Sequence, residues 1–439
     1  MEYLLSFLLL SINLIAFQFG INRIVFLIAG TLLFALLFFR CFYKTKSFLG
    51  CALMMFCHTW QISWMNILGE PTANLQLPWF YIIGVLCIGY TLFNFSKVFD
   101  KQVNAPFMIL FICTIVISVF PLFSSPSITE GLKEFIMIMF FLLMLFVGFL
   151  FCNTVSEETR EHVFNSYTWC VFISSAFLIL QYFIYHTFGI PLFNFEIGEY
   201  VGNAMASAAL LMGDPSSATI MLGSAVFICI SRIEKKKSIP YNVICILTIV
   251  IGMALTSRRT SIVALIIVLA LYSFFHFKGP AKKILTLMLF AVLGVIMLYY
   301  LLISRPVDDL AMYLYDNHRF ANYIRTLEVS LIHPFGIGYD NVHAVTFMTD
   351  NIVPHFTVLR WLLMGGYWFA IPMTALVVLT WYTARKKNLS TESWIILYSF
   401  FASCFIPDIL NARFFVIPCM CAMLAAKINK PSKAMLKRI

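Results

Sequence analysis

KEFIMIMFFLLMLFVGFLFC, residues 133–152, is the stretch on which the fold turns. After Lys133 and Glu134 nothing charged or strongly polar interrupts it. An apolar run of about 20 residues is what a helix needs to cross the hydrocarbon layer of a bilayer. Comparable runs recur along the chain and give candidate helices at 3–19, 24–39, 48–68, 77–95, 105–121, 133–152, 165–188, 214–231, 241–256, 260–277, 284–303, 356–382, 393–410 and 413–427. The run at 48–68 is the least regular, because His58, Trp60 and Gln61 make it amphipathic. Only Asn411 and Ala412 separate the last two. Helices satisfy their own backbone in lipid, and no alternating barrel pattern is visible. The sequence therefore predicts an all-α, polytopic integral membrane protein with about fourteen (12–14) spanning helices.

Composition agrees. Of the 439 residues, 61% are hydrophobic and 11% charged, with a mean hydropathy of +0.90. Soluble domains carry roughly 25% charged residues, so a water-facing surface around a core is excluded. Residues 3–19 lack a basic leader and a small-residue cleavage site, and are expected to be the first span rather than a removable signal. The twelve cysteines lie in apolar segments or at their ends, none within 304–355, and read as small hydrophobes rather than disulfide partners.

A net charge of +10 raises nucleic acid or anionic lipid as partners, and the placement of the charges argues against nucleic acid. With both termini in the cytoplasm and the loops assigned alternately, the thirty Lys and Arg residues divide twenty-one inside to nine outside, as the positive-inside rule requires. The nine are Arg23, Lys133, Arg258, Arg259, Arg305, Arg319, Arg325, Arg360 and Arg413. All but one are arginine, whose planar fork binds phosphate or carboxylate bidentately and stays charged. Local pairing with Asp and Glu explains some of them. As a set they point to an outward-facing anion site.

One long polar stretch stands out, SRPVDDLAMYLYDNHRFANYIRTLEVSLIHPFGIGYDNVHAVTFMTDNIVPH at 304–355. It divides a single membrane domain into helices within 1–303, an extracytoplasmic loop at 304–355, helices within 356–427 and a basic tail at 428–439. Loops of this length without function are uncommon. Residues 319–331 have helical periodicity, with Phe320, Tyr323, Ile324, Leu327 and Leu331 on one stripe and Arg319, Asn322 and Thr326 on another face. Arg325 lies three residues before Glu328 and is expected to form a structural ion pair, which leaves Arg319 as the better ligand candidate. Pro334 discourages helix at His333, and Gly336 and Gly338 follow at a turn. Because that turn follows a helix rather than opening one, it is not a dinucleotide fingerprint. His333, His343 and His355, with Asp340 and Asp350, are spaced too widely for a compact metal site. His355 sits where the loop re-enters the membrane. It reads either as an interfacial side chain or as a group that orients or deprotonates a hydroxyl.

Two shorter constellations complete the set. Thr256-Ser257-Arg258-Arg259-Thr260 places adjacent arginines in an outer turn, where they repel each other unless an anion or acid offsets them. Gly213-Asp214-Pro215-Ser216 opens a span with a capping residue and a proline. Arg413, just after Asp408, is placed for a local pair.

Together these segments resemble the O-antigen polymerase and O-antigen ligase superfamily. Leu255-Thr256-Ser257-Arg258-Arg259 is similar to its "LT-x-SR" stretch, and His333-Pro334-Phe335-Gly336-Ile337-Gly338 to its proline-glycine-glycine segment. His355, ten residues and then Gly366 resemble its membrane re-entry signature. Gly213-Asp214-Pro215-Ser216 resembles its Gly-x-x-x-Pro-Asn segment, with one residue between Gly and Pro and Ser in place of Asn. The pieces keep the family's order from about residue 200 to 415, while the first half of the chain matches only as a series of spans. The resemblance implies a GT-C-type glycosyltransferase in the bacterial inner membrane that uses a polyprenyl-diphosphate-linked oligosaccharide. Arg258 or Arg259 would hold the diphosphate with Arg319, and His355 would serve the acceptor. Arg325, His333, Arg413 and Asp214 are secondary candidates. No cofactor or metal is required. Membrane lipid and a chain-length regulator protein are the partners it suggests, with no nucleic acid.

Within the superfamily, polymerases join lipid-linked repeats and ligases move the finished chain to the lipid A core. Ligases often carry a second histidine just before the re-entry histidine. Val353-Pro354 stands there instead, which favours the polymerase. A polysaccharide flippase or other transporter is the alternative of another class. It is disfavoured by the absence of a half-to-half repeat and by charges gathered at span ends.

Overall fold

In lipid every backbone donor and acceptor needs an internal partner, so apolar runs of this length fold as helices. The computed structural model describes residues 1–19, 23–62, 79–94, 105–154, 156–193, 196–200, 203–207, 215–256, 259–276, 279–303, 317–349, 353–354, 356–386 and 390–404. The first half of these forms α1 (Glu2–Phe19), α2 (Arg23–Thr45), α3 (Phe48–Thr59), α4 (Trp79–Phe93), α5 (Ala105–Ser118), a single turn α6 (Phe120–Phe123), α7 (Ile128–Thr154) and α8 (Glu157–Phe188). The second half forms α9 (Pro215–Glu234), α10 (Ile239–Leu255), α11 (Arg259–His276), α12 (Pro280–Ile303), α13 (Asn317–Ile332), α14 (Asn341–Val345), α15 (Thr357–Lys386) and α16 (Ser390–Ser403).

The described parts of the candidate spans from 3–19 to 393–410 lie on these helices or at their ends, 105–121 being divided between α5 and α6; 63–68, 405–410 and 413–427 lie outside the described residues. Glu2–Phe19, Ile28–Thr45, Ile128–Gly148, Glu157–Phe188 and Thr357–Tyr382 are long and apolar enough to cross a membrane, and shorter apolar helices accompany them. The architecture is helical as expected, and one short hairpin accompanies the helices. Strand β1 (Glu196–Tyr200) pairs antiparallel with β2 (Asn203–Ser207), with Glu196 opposite Ser207 and Tyr200 opposite Asn203. Only Val201-Gly202 joins the strands, and a two-residue connection containing glycine is a hairpin signal.

Packing closes a circuit. α3 touches α4, α4 touches α7, and contacts pass through α5, α15, α16, α9 and α8 back to α3. α3 lies inside, with every residue from Leu49 to Thr59 buried. Of the residues that make 48–68 amphipathic, His58 and Gln61 are buried and meet other polar groups between helices. His58 Nδ1 lies 2.9 Å from Ser6 Oγ and 3.1 Å from Cys170 Sγ. Ser174 Oγ donates to Gln61 Oε1 at 2.9 Å. Buried polar groups among spans pair with one another because lipid offers no partner. The nine cysteines whose side chains are described are free thiols, all buried except Cys113.

Helix ends gather at two levels. On one side Glu2 at the start of α1 meets Lys44 and Arg40 at the end of α2. On that side too Glu234 at the end of α9 meets Tyr272 and His276 at the end of α11. There also the Arg385 guanidinium lies over the rings of Phe275 and Trp394. The α5–α7 connection and the segment carrying α13 and α14 lie at the other end, here called the loop side.

Candidate functional site

The site is built around a break in α15. Gly366 has φ 66 and ψ −170 within an otherwise helical segment, a backbone conformation essentially confined to glycine. Breaking a helix orphans carbonyls before the break and an N–H after it. The loop segment 333–338 supplies the partners. Ile337 N donates to Leu363 O and Gly338 N to Met364 O, both at 3.0 Å, and Tyr367 N donates to Pro334 O at 3.0 Å. The approach is backbone to backbone. A Cβ on Gly366 would stand 2.0 Å from Pro334 O, and one on Gly336 2.2 Å from Met364 O. Two segments that the sequence offers separately, His333–Gly338 and the glycine after the apolar start of 356–382, are halves of one joint.

From the joint the chain passes over the α6–α7 turn. A Cβ on Gly338 would lie 2.7 Å from Ser125 Cα, so this contact also needs glycine. Tyr339 N donates to Ser125 Oγ at 2.8 Å, and the Tyr339 hydroxyl donates to Ser118 O at 2.8 Å. Burial, with the Glu134 carboxylate nearby, raises the Tyr339 phenol well above its ordinary range. Asp340 accepts from Ser127 N at 3.2 Å through one oxygen. Its other oxygen caps α14 by accepting from Val342 N and His343 N.

Beneath α14 lies a polar triad centred on a buried arginine. Arg360, one turn into α15 and 3% exposed, donates through Nη2 to Asn341 Oδ1 at 2.7 Å. The same nitrogen is 3.6 Å from Glu134 Oε1 at the start of α7. Asn341 Nδ2 in turn donates to Glu134 Oε1. Three elements, α7, α14 and α15, are thus tied by one fixed guanidinium. Its charge is offset by Glu134, so Arg360 positions the loop rather than presenting a bare cation. The sequence reading counts Arg360 only among outward charges and passes over Glu134 and Asn341. An arginine inside the apolar run 356–382, and a glutamate opening the run 133–152, were the available signals.

α13 packs on α15 and buries its polar face, Ser330 reaching the Tyr367 hydroxyl at 3.3 Å while Asn322 and Thr326 meet the segment 348–349. Asn322, Thr326 and Ser330 are buried with Val329. Asn322 Oδ1 accepts from Thr349 N at 3.1 Å, and the Thr326 hydroxyl donates to Asn322 O at 2.7 Å. The Tyr323 ring meets Phe356 with centroids 6.1 Å apart. The elements that carry Arg319 and adjoin His355 in the chain are therefore neighbours.

The expected site residues fare unevenly. Arg319 is in the first turn of α13, three residues before Asn322, and its side chain lies outside the description. His355, Arg258, Asp214 and Arg413, with its expected partner Asp408, lie outside the described residues. Arg259 opens α11 after Thr256 ends α10, and Pro215 opens α9 at its first position, as the motif reading anticipates. Arg325 pairs with Glu328 at 3.0 Å and donates through Nε to Phe347 O at 3.1 Å. His333 is exposed, its ring edge-on to Phe347, and its carbonyl accepts from Gly336 N at 2.9 Å. The chain matches no family model and no curated protein sequence.

Proposed function

We propose that the protein is a membrane-embedded glycosyltransferase of the O-antigen polymerase kind. It would join glycans carried on polyprenyl diphosphate at the outer face of the bacterial inner membrane. The observation that carries this reading is the clasp between residues 333–338 and the break at Gly366. Two segments that support the family resemblance interlock, which gives a physical reason for their glycines and their order. A transferase that excludes water at a membrane surface needs its polar loop held rigidly, because misplacement by about 1 Å is costly in rate. The clasp and the Arg360 triad supply that rigidity. The reading extends to about fourteen spans in a GT-C-like arrangement, with the Lys-rich ends in the cytoplasm.

The chemistry balances without metal or nucleotide. An acceptor sugar hydroxyl attacks the anomeric carbon of the donor. The bond to the diphosphate oxygen breaks, and its electron pair leaves with the diphosphate. His355 takes the hydroxyl proton. Arg319, with Arg258 or Arg259, offsets the charge that grows on the leaving diphosphate, which fixed donors stabilise better in a dry cleft than water does. A single displacement inverts the anomeric configuration.

Two experiments test this. Arg319→Ala should abolish glycan polymerisation while protein abundance is unchanged; normal chain lengths on a gel would sink the assignment. Deleting the protein should leave single repeats attached to the lipid A core. Long chains stranded on the polyprenyl carrier would make it a ligase instead.

A further inference from the structure

α13 is folded inside out for a water-exposed helix. An amphipathic helix on a soluble surface turns its apolar stripe inward. Here the polar stripe is inward, with Asn322 at 3% exposure and Thr326 at 0%. The apolar stripe is outward, with Ile324 at 48%, Leu327 at 46% and Leu331 at 74%.

The outward stripe is not isolated. It continues through Ile332 to Phe335, whose ring stacks on Trp368 with centroids 6.2 Å apart and planes 9° apart. Trp368 begins an exposed apolar line on α15 that runs on through Ile371 and Val378 to Tyr382. That line lies on a helix apolar enough to span a membrane. The part of α15 after the break, 367–386, is roughly 30 Å long at 1.5 Å per residue, which by itself crosses the hydrocarbon layer. Trp368, at the loop-side end, then sits where aromatic side chains favour the water–lipid boundary. The backbone bonds of the clasp fix the end of α13 at the level of Trp368.

We propose that α13 is an interfacial helix seated in the lipid leaflet on the loop side, with Ile324, Leu327, Leu331, Ile332 and Phe335 against acyl chains. Its inward polar face carries the loop, and its apolar ridge floats it on the bilayer. Arg325 and Glu328 pair with each other beside the ridge, which suits a headgroup boundary. This holds whether or not the protein is a glycosyltransferase.

The full-length protein in lipid nanodiscs, photolabelled with a diazirine confined to the hydrocarbon and mapped by mass spectrometry, tests it directly. Ile324, Leu327 and Leu331 should label within about threefold of Ile244 and Leu247, exposed on α10, as expected for an apolar face sunk into acyl chains. The double variant Leu327→Asp, Leu331→Asp should lose ridge labelling while Ile244 and Leu247 keep theirs. Labelling of the wild-type ridge at the level of buried Met253, with water-borne hydroxyl radicals modifying it instead, overturns the proposal. So do cross-links from the ridge to a second copy.

Discussion

Replacing Gly366 by alanine isolates the clasp from everything around it. The added Cβ would stand 2.0 Å from Pro334 O and 2.6 Å from Gly336 N. Both are backbone atoms, so no side chain can rotate away. The residue would also hold φ 66, a strain of roughly 1–3 kcal/mol for a side chain. If the loop stays docked but shifts to make room for the Cβ, the bonds from Ile337 N, Gly338 N and Tyr367 N are pulled out of range, at about 0.5–1.5 kcal/mol each. Together these amount to about 3–7 kcal/mol against the docked loop. At 1.4 kcal/mol per factor of ten, its open population should rise at least about 100-fold. Amide hydrogen exchange followed by mass spectrometry in nanodiscs reads this on the amides of Ile337 and Gly338. Gly89→Ala is the control, since nothing lies within 4 Å of a Cβ in that α4 interior. It should be neutral or stabilising by roughly 0.5–1 kcal/mol. If Gly366→Ala leaves the protection of residues 333–339 as it is in Gly89→Ala, the clasp does not hold the loop and the reasoning fails.

Arg360→Ala leaves the partly buried Glu134 without that cation and should lower unfolding stability by roughly 2–3 kcal/mol. Adding Glu134→Gln should recover part of the loss, and thermal unfolding of the full double-mutant cycle checks the coupling. Arg325→Ala breaks an exposed pair with Glu328 and the exposed bond to Phe347 O, and should cost about 1–2 kcal/mol by the same measurement. Tyr339→Phe removes the bond to Ser118 O and should cost about 1 kcal/mol at neutral pH. Because burial raises the Tyr339 phenol, its contribution is whole below about pH 10 and is lost as pH rises further. The wild type should therefore lose stability more steeply than Tyr339→Phe above that pH, by up to about 1.4 kcal/mol per pH unit, in denaturation series run at stepped pH.

The spans were legible because solvent decides them: Phe135 to Cys152 has no other way to satisfy its backbone in lipid. The break in α15 was not. Gly365-Gly366 sits inside an apolar run that reads as one helix, and what opens it is a loop about thirty residues earlier. The stripe on α13 was visible as a period, but a period does not say which side meets the neighbour. That depends on whether water or lipid lies opposite, and Asn322 found its partner in Thr349 N through tertiary contact alone. Arg360 appeared in the charge count but could not be told from a phosphate-binding arginine, because Glu134 lies more than two hundred residues away in the chain. The pairing of Arg325 with Glu328 was legible, since both partners share one helix face.

The buried histidine of α3 has a consequence for how the chain is assembled during synthesis. Ser6, its first partner, lies 52 residues before it. Cys170, the second, lies 112 residues after. Until α8 emerges, the edge of the imidazole that meets Cys170 lacks that partner. In a bilayer apolar helices gain little from meeting one another, so relief of that polar edge is a directional pull on the late helix. α8 is drawn to one axial position against α3, where Cys170 meets His58 and Ser174 meets Gln61. A slide of one turn, about 5.4 Å, would strand both pairs at once. The polar groups thereby act as a stop that sets how far the late helix is threaded before the circuit of helices closes.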